Sequence, residues 1–129
     1  MKLLIVEDEP AVATIIRHFV SDIGLDARIA PTAEAADGHL AEEEFEAVTL
    51  DLGMPDRSGL DWLKQLAEEK PELARRTLVI TGREPDSEIV DQLVECGAGL
   101  LMKPFRMHEL QSTVKAQLAR PIHRQTGQN

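Results

Sequence analysis

Ala47-Val48-Thr49-Leu50 runs without a charge and then meets Asp51-Leu52-Gly53-Met54-Pro55. A short, almost wholly apolar run closed by turn-forming residues suits a strand buried on both faces, as in a parallel sheet. Four further runs share the pattern: residues 3–6, residues 27–30 (weaker, with Arg28 inside), residues 78–80 and Gly99–Met102. Between them the period changes to that of a helix. Val12, Ile15, Ile16, Phe19, Val20 and Ile23 fall at i, i+3, i+4, i+7, i+8 and i+11, which predicts one apolar stripe. Pro10 at the first helical position and Gly24 just past the end punctuate that helix.

A second helix is expected near residues 32–41, with Thr32 as N-cap and Gly38 weakening it. A third covers residues 59–69 with Leu60, Leu63 and Leu66 inward and Pro71 following. A fourth, near residues 86–95, presents Ile89, Leu93 and Val94 and stops at Gly97. The last carries Met107, Leu110, Val114 and Leu118 on one face, and Pro121 closes it. Five strands alternating with five helices predict an α/β, doubly wound five-stranded parallel sheet. The chain of 129 residues divides into one domain over 1–120 and a polar tail, expected to be disordered, over 121–129.

Composition narrows the function. Charged residues make up 29% and hydrophobic ones 43%, as in ordinary globular proteins, but only 3% are aromatic and Tyr is missing. With a net charge of −9, that argues against a base-stacking or phosphate-binding surface for nucleic acid. Cys96 is the only cysteine, so neither an internal disulfide nor a cysteine-based metal cage is expected. The apolar start of the chain is too short for a signal peptide or membrane span, and a cytoplasmic setting is expected.

In doubly wound sheets, function gathers outside the carboxyl ends of the strands. There the first strand ends in Glu7-Asp8, the third in Asp51, the fourth in Thr81-Gly82, and the fifth runs into Lys103-Pro104. Carboxylates crowded together repel one another unless a cation is present. The ligands on offer are oxygens, with no sulfur or histidine nearby, which favours Mg2+ or Mn2+ over Zn2+. A hydroxyl and an ammonium complete a set able to neutralise an incoming phosphoryl group. Taken singly, each residue has a plainer reading: Glu7 and Asp8 a solvated strand end or cap, Asp51 and Thr81 turn residues, Lys103 a surface lysine. Their joint placement at four strand ends is what sets those readings aside.

The segments Val6-Glu7-Asp8, Asp51-Leu52-Gly53-Met54-Pro55 with Gly59 downstream, Thr81-Gly82 and Lys103-Pro104-Phe105 resemble the receiver domains of response regulators in two-component signalling, over residues 2–118. The resemblance implies the flavodoxin-like receiver fold, Asp51 as phosphoacceptor, and Glu7 (through a water), Asp8, Asp51 and the Gly53 carbonyl as ligands of Mg2+ or Mn2+. It implies that Thr81 and Lys103 bond the phosphoryl oxygens and that the Lys103–Pro104 peptide is cis. The phosphoryl donor would be a histidine kinase or histidine phosphotransfer protein. The output would be a contact with a downstream effector protein through the fourth helix, fifth strand and fifth helix. No direct contact with nucleic acid or membrane is expected, and a monomer or weak dimer is. Catalysis would be confined to the domain's own phosphorylation and dephosphorylation.

The sequence departs from the family at Leu100, three positions before Lys103, where an aromatic residue usually couples to the threonine. Gly53 and Arg83 also differ from common choices and should affect the lifetime of the aspartyl phosphate. A phosphatase of the haloacid-dehalogenase type also phosphorylates an Asp at a strand end. It needs a second Asp two positions on, where this chain has Gly53. A receiver that binds partners without phosphorylation would be expected to lack Asp51 or Lys103. Met1 directly before the first strand favours a stand-alone protein over a receiver cut from a hybrid kinase. Among other candidates, His18, His39, His108 and His123 lie at no ligand spacing, residues 42–44 read as a solvated helix end, Trp62 as partly buried and Cys96 as inert.

Overall fold

The computed structural model describes residues 1–120, and the tail expected over 121–129 lies outside them. Its elements in chain order are β1 (Lys2–Val6), α1 (Pro10–Ser21), β2 (Asp26–Ala30), α2 (Ala33–Glu42), β3 (Ala47–Leu50), α3 (Gly59–Glu69), α4 (Pro71–Arg75), β4 (Thr77–Thr81), α5 (Ser87–Cys96), β5 (Gly99–Met102) and α6 (Met107–Leu118). All five strands pair in parallel in the order β2-β1-β3-β4-β5. The doubly wound sheet expected from the alternation is therefore present.

Alternation along β1 divides the interior. Leu4 and Val6 join Val48, Leu50, Trp62, Leu63 and Leu66 on one side of the sheet. Leu3 and Ile5 join Ile16, Val20, Leu78, Ile80, Leu110 and Val114 on the other. A strand with both faces covered has no solvent-facing position, which is why the runs read as continuous rather than alternating. From β1 the chain passes through α1 to β2 on one side and then through α2 back across to β3 on the other, so the switch in strand order opens a crevice beyond Val6 and Leu50.

The structure adds one helix that the sequence did not announce. Pro71 ends α3 as expected, but it also begins the single turn of α4, with Lys70 in a non-helical conformation (φ −140°, ψ 71°) between them. Leu73 and Ala74 bury that turn, and the Thr77 hydroxyl donates to the Leu73 carbonyl at 2.9 Å. The helical stripes are also narrower than their spacing implied. Ile15 is 46% exposed and Val94 69%, because only the middle of each stripe meets the sheet. Met107 is exposed too.

Trp62, expected to be partly buried, is fully enclosed, and its indole N–H donates to Asp37 Oδ1 on α2 at 2.9 Å. Glu43, read within a solvated acidic end, instead pairs with Lys2 (2.8 Å) and Arg28 (3.3 Å). The expected caps are present: Thr32 accepts from the Ala35 N–H, and Gly24 and Gly97 take the positive φ angles (90° and 80°) that end α1 and α5. No helix among the described residues is long and apolar enough to cross a membrane.

Candidate functional site

The backbone ladder continues one residue past β1 and β3. The Glu7 N–H donates to the Ala30 carbonyl and the Asp51 N–H to the Val6 carbonyl, both at 3.0 Å. Acidic side chains are thus carried to the mouth of the crevice by strands that cannot shift without breaking pairs. Glu7, Asp8 and Asp51 each bring one carboxylate oxygen into a group whose members lie within 4.8 Å of one another. This is the one such cluster of metal-binding side chains among the described residues, and none of His18, His39 and His108 belongs to it.

Lys103 enters from β5. Its N–H donates to the Thr81 carbonyl at 2.8 Å, and the following Lys103–Pro104 peptide is cis, as expected. Its ammonium nitrogen lies 3.2 Å from Glu7 Oε1, 3.6 Å from Glu9 Oε1 and 4.0 Å from Asp51 Oδ2. One cation therefore faces three carboxylates, with Asp8 adjoining them. Glu7 shows the imbalance most clearly. Burial, then the charge of Asp51, push its carboxyl from 4.5 up to about 7, although the Glu9 N–H and Lys103 pull the other way. Burial draws Lys103 down, but Glu7 and Asp51 outweigh it and its ammonium is held above the usual lysine range.

The turn after β3 is shaped by two glycines. The Gly53 N–H donates to Asp51 Oδ1 at 3.2 Å, and Gly53 has no side chain with which to supply the acid that a dehalogenase-type phosphatase requires. Gly59 lies so close to the turn that a Cβ there would sit 2.6 Å from Leu52 Cα and 2.9 Å from the Asp51 carbonyl oxygen. Only glycine lets α3 begin at that point. Met54 plugs the core beneath the loop.

Thr81 is buried at the end of β4, but its hydroxyl is engaged locally: it donates to the Arg83 carbonyl (3.1 Å) and accepts from the Arg83 N–H (3.2 Å). An open groove of about 590 Å³ runs past it, lined by Asp51, Gly53, Thr81, Arg83, Pro85 and Ile89 among others. Leu100 on β5 is 37% exposed. The structure therefore brings together every strand-end residue singled out by sequence. Glu9 and Asp56 were not singled out. Glu9 reaches Lys103, and Asp56, in the loop after Asp51, accepts backbone N–H groups of α2. Both act on partners far away in the chain, which periodicity and spacing do not reveal.

The response regulator receiver domain family matches residues 3–115. The transcriptional regulatory protein PmrA of Pectobacterium parmentieri is 34% identical over 120 residues, covering 93% of this chain and 53% of PmrA. BasR of Escherichia coli is 31% identical over 120 residues, with the same two shares. The chain thus spans about half the length of the curated relatives it matches. Among solved structures, a response regulator from Burkholderia pseudomallei with a phosphorylated aspartic acid, calcium ion and citrate is 25% identical, with a TM-score of 0.77 over 92% of this chain and 68% of that one. A CheY-like receiver domain protein from Methanospirillum hungatei, 24% identical, shares the fold with a TM-score of 0.82 over 91% of this chain and 92% of its own. By its matched span and its fold, this chain belongs to the response regulator receiver domain family, the regulatory domains of two-component signalling.

Proposed function

We propose that residues 1–120 form a receiver that takes a phosphoryl group onto Asp51 from a histidine kinase or histidine phosphotransfer protein, and so changes its affinity for an effector protein. The observation that carries this reading is the meeting of Asp51 with Glu7, Asp8 and the Lys103 ammonium at one crevice. A lone carboxylate at a strand end needs no such company. The donor set fits a hard divalent cation, Mg2+ or Mn2+: it contains only oxygens, and three carboxylates bring them within 4.8 Å of one another. Glu7, Asp8, Asp51 and the Gly53 carbonyl would hold it. When bound, such an ion neutralises the carboxylates and the phosphoryl oxygens together. The Burkholderia relative's phosphorylated aspartic acid and calcium ion are in keeping with both halves of the reading.

The residues of the chain then have distinct tasks. An oxygen of Asp51 forms the new O–P bond while the P–N bond of a phosphohistidine breaks. The electron pair returns to the imidazole nitrogen, which takes up a proton. Lys103 turns from Glu7 and Glu9 towards a phosphoryl oxygen, and the Thr81 hydroxyl exchanges its Arg83 partner for another. No step asks the chain to act on an outside substrate. The effector surface we assign is α5, β5 and α6, where Val94, Leu100, Met102 and Met107 are exposed apolar side chains. With a net charge of −9 the chain is suited to a protein partner rather than nucleic acid, and we place it in the cytoplasm, as a monomer or weak dimer. Intact-mass measurement after incubation with a phosphodonor and Mg2+ should show one added phosphoryl group, absent from Asp51→Asn. Equal modification of that variant would overturn the assignment.

A further inference from the structure

The loop after the phosphoacceptor strand is tied to a helix that takes no part in the site. Asp56 is the sixth residue of the turn that begins at Asp51, and its carboxylate spans the N-terminus of α2. Oδ1 accepts from the Ala33 N–H at 2.9 Å and Oδ2 from the Glu34 N–H at 3.1 Å. The first N–H groups of a helix have no carbonyl partner within it, and they attract negative charge. Thr32, the N-cap, satisfies only the Ala35 N–H, at 3.0 Å. The distant Asp56 therefore completes the cap of α2, and those N–H groups hold its carboxyl below the usual aspartate range. The strand order makes the meeting possible. β2 and β3 flank β1 and run parallel to it, so the turn before α2 and the turn after β3 open on the same edge of the sheet, within reach of the Asp56 side chain.

We infer that Asp56 is a positioning residue for the cation site: its grip on α2 fixes the loop that presents the Gly53 carbonyl. This rests on the reading of the site given under Proposed function. Asp51 itself is fixed by the sheet, and Gly59 closes the far end of the turn with its N–H on the Leu52 carbonyl at 3.1 Å. Between them Gly53 has no side chain to anchor it, and its N–H bond to Asp51 Oδ1 spans only two residues. Met54 in the core and Asp56 on α2 are the first two fixed points beyond it, and only Asp56 among them bonds backbone N–H groups of α2. A second tie secures the helix that Asp56 grips, because Asp37 on α2 accepts from Trp62 of α3 at 2.9 Å and pairs with Arg57 at 3.5 Å. Removing the Asp56 carboxylate leaves α2 docked and frees the segment around Gly53.

The test titrates MgCl2 into the full chain by NMR, with amide hydrogen exchange recorded on the same samples. Asp56→Ala should weaken Mg2+ roughly tenfold, in the range found when groups supporting a metal ligand are removed. Exchange at Ala33 and Glu34 should quicken. Its phosphorylation rate should return to that of the unmodified protein once Mg2+ is saturating, because the nucleophile is untouched. Asp56→Asn, which keeps one acceptor oxygen, should fall between. Thr32→Ala is the control: it removes the other cap, lowers stability and quickens exchange at Ala35, yet should leave Mg2+ affinity near its original value. Unaltered Mg2+ affinity in Asp56→Ala, with Ala33 and Glu34 exchanging faster, would overturn the inference. So would equal losses of affinity in Asp56→Ala and Thr32→Ala, which would trace the effect to helix stability. Failure of the unmodified protein to bind Mg2+ would overturn the reading of the site itself, and the inference with it.

Discussion

In the absence of divalent cations, Glu7→Gln should make this protein more stable at alkaline pH and alter it much less at acidic pH. The Glu7 side chain is 1% exposed, and burial followed by the charge of Asp51 raises its carboxyl from 4.5 to about 7. The unfolded chain gives up that proton near 4.5 and the folded chain only near 7, so between these values the folded state binds more protons. A group with a raised pKa contributes its stability fully below the unfolded value and loses it as pH rises through the folded one. The displacement corresponds to a loss of about 2–3 kcal/mol between roughly pH 5 and pH 8. Glutamine is neutral throughout and keeps an oxygen for the Lys103 ammonium, which lies 3.2 Å from Glu7 Oε1. Urea unfolding of both proteins in chelator should therefore show a gap that widens by about 2–3 kcal/mol over that range, in favour of the variant. Mg2+ at about 100 times its Kd should stabilise the unmodified protein at the alkaline end by about 2.7 kcal/mol and the variant by less. Parallel pH profiles in chelator would refute the reasoning, since they would mean that Glu7 titrates alike in both states.

Two further outcomes follow from the same crevice. Chelator should stop labelling of Asp51, and Asp8→Ala should weaken Mg2+ more than Glu7→Ala, because Glu7 is already engaged by Lys103; equal labelling in excess chelator would contradict this. A phosphate mimic should change hydrogen exchange over residues 82–95, beginning with the amides around Arg83 that Thr81 now engages, whereas a response confined to the strand of Leu100 would show that the signal takes another route.

β1, β3 and β4 were legible in this sequence because burial on both faces leaves no solvent-facing position to interrupt them. Even β2, with Arg28 inside it, formed where expected, because an edge strand tolerates a charge that pairs outward, here with Asp26 and Glu43. The site residues were legible for a related reason: Glu7, Asp51, Thr81 and Lys103 each lie at the end of an apolar run, where a change from apolar to polar is conspicuous. Helix faces were read less well. Spacing identified Ile15 and Val94 with their stripes, but how much of a stripe is covered depends on the neighbour it meets, and both remain exposed. The α4 turn was hidden because a proline that ends one helix is equally suited to start the next. Asp56 and Trp62 were hidden by distance: their partners on α2 lie 23 and 25 residues away, and nothing local distinguishes such a carboxylate or indole from a surface one.

The proposed phosphoacceptor reading also constrains where a signal can leave the site. Glu7, Asp51 and Lys103 are each held by a backbone bond that extends the sheet, to Ala30, Val6 and Thr81 respectively. Charge arriving at Asp51 cannot be relieved by moving the backbone of those residues, since displacement would break pairs between buried strands. Thr81 differs. Its carbonyl is part of the ladder, but its hydroxyl bonds only to Arg83 in the loop that follows. It can change partners at the cost of local loop bonds and no sheet bond. The alternative outlet, an aromatic side chain at position 100 turning inward, is missing because Leu100 has no ring to turn. A phosphoryl group on Asp51 would therefore act through Thr81 on the Gly82–Pro85 connection and on α5 beyond it, where exposed Val94 lies within reach of a partner.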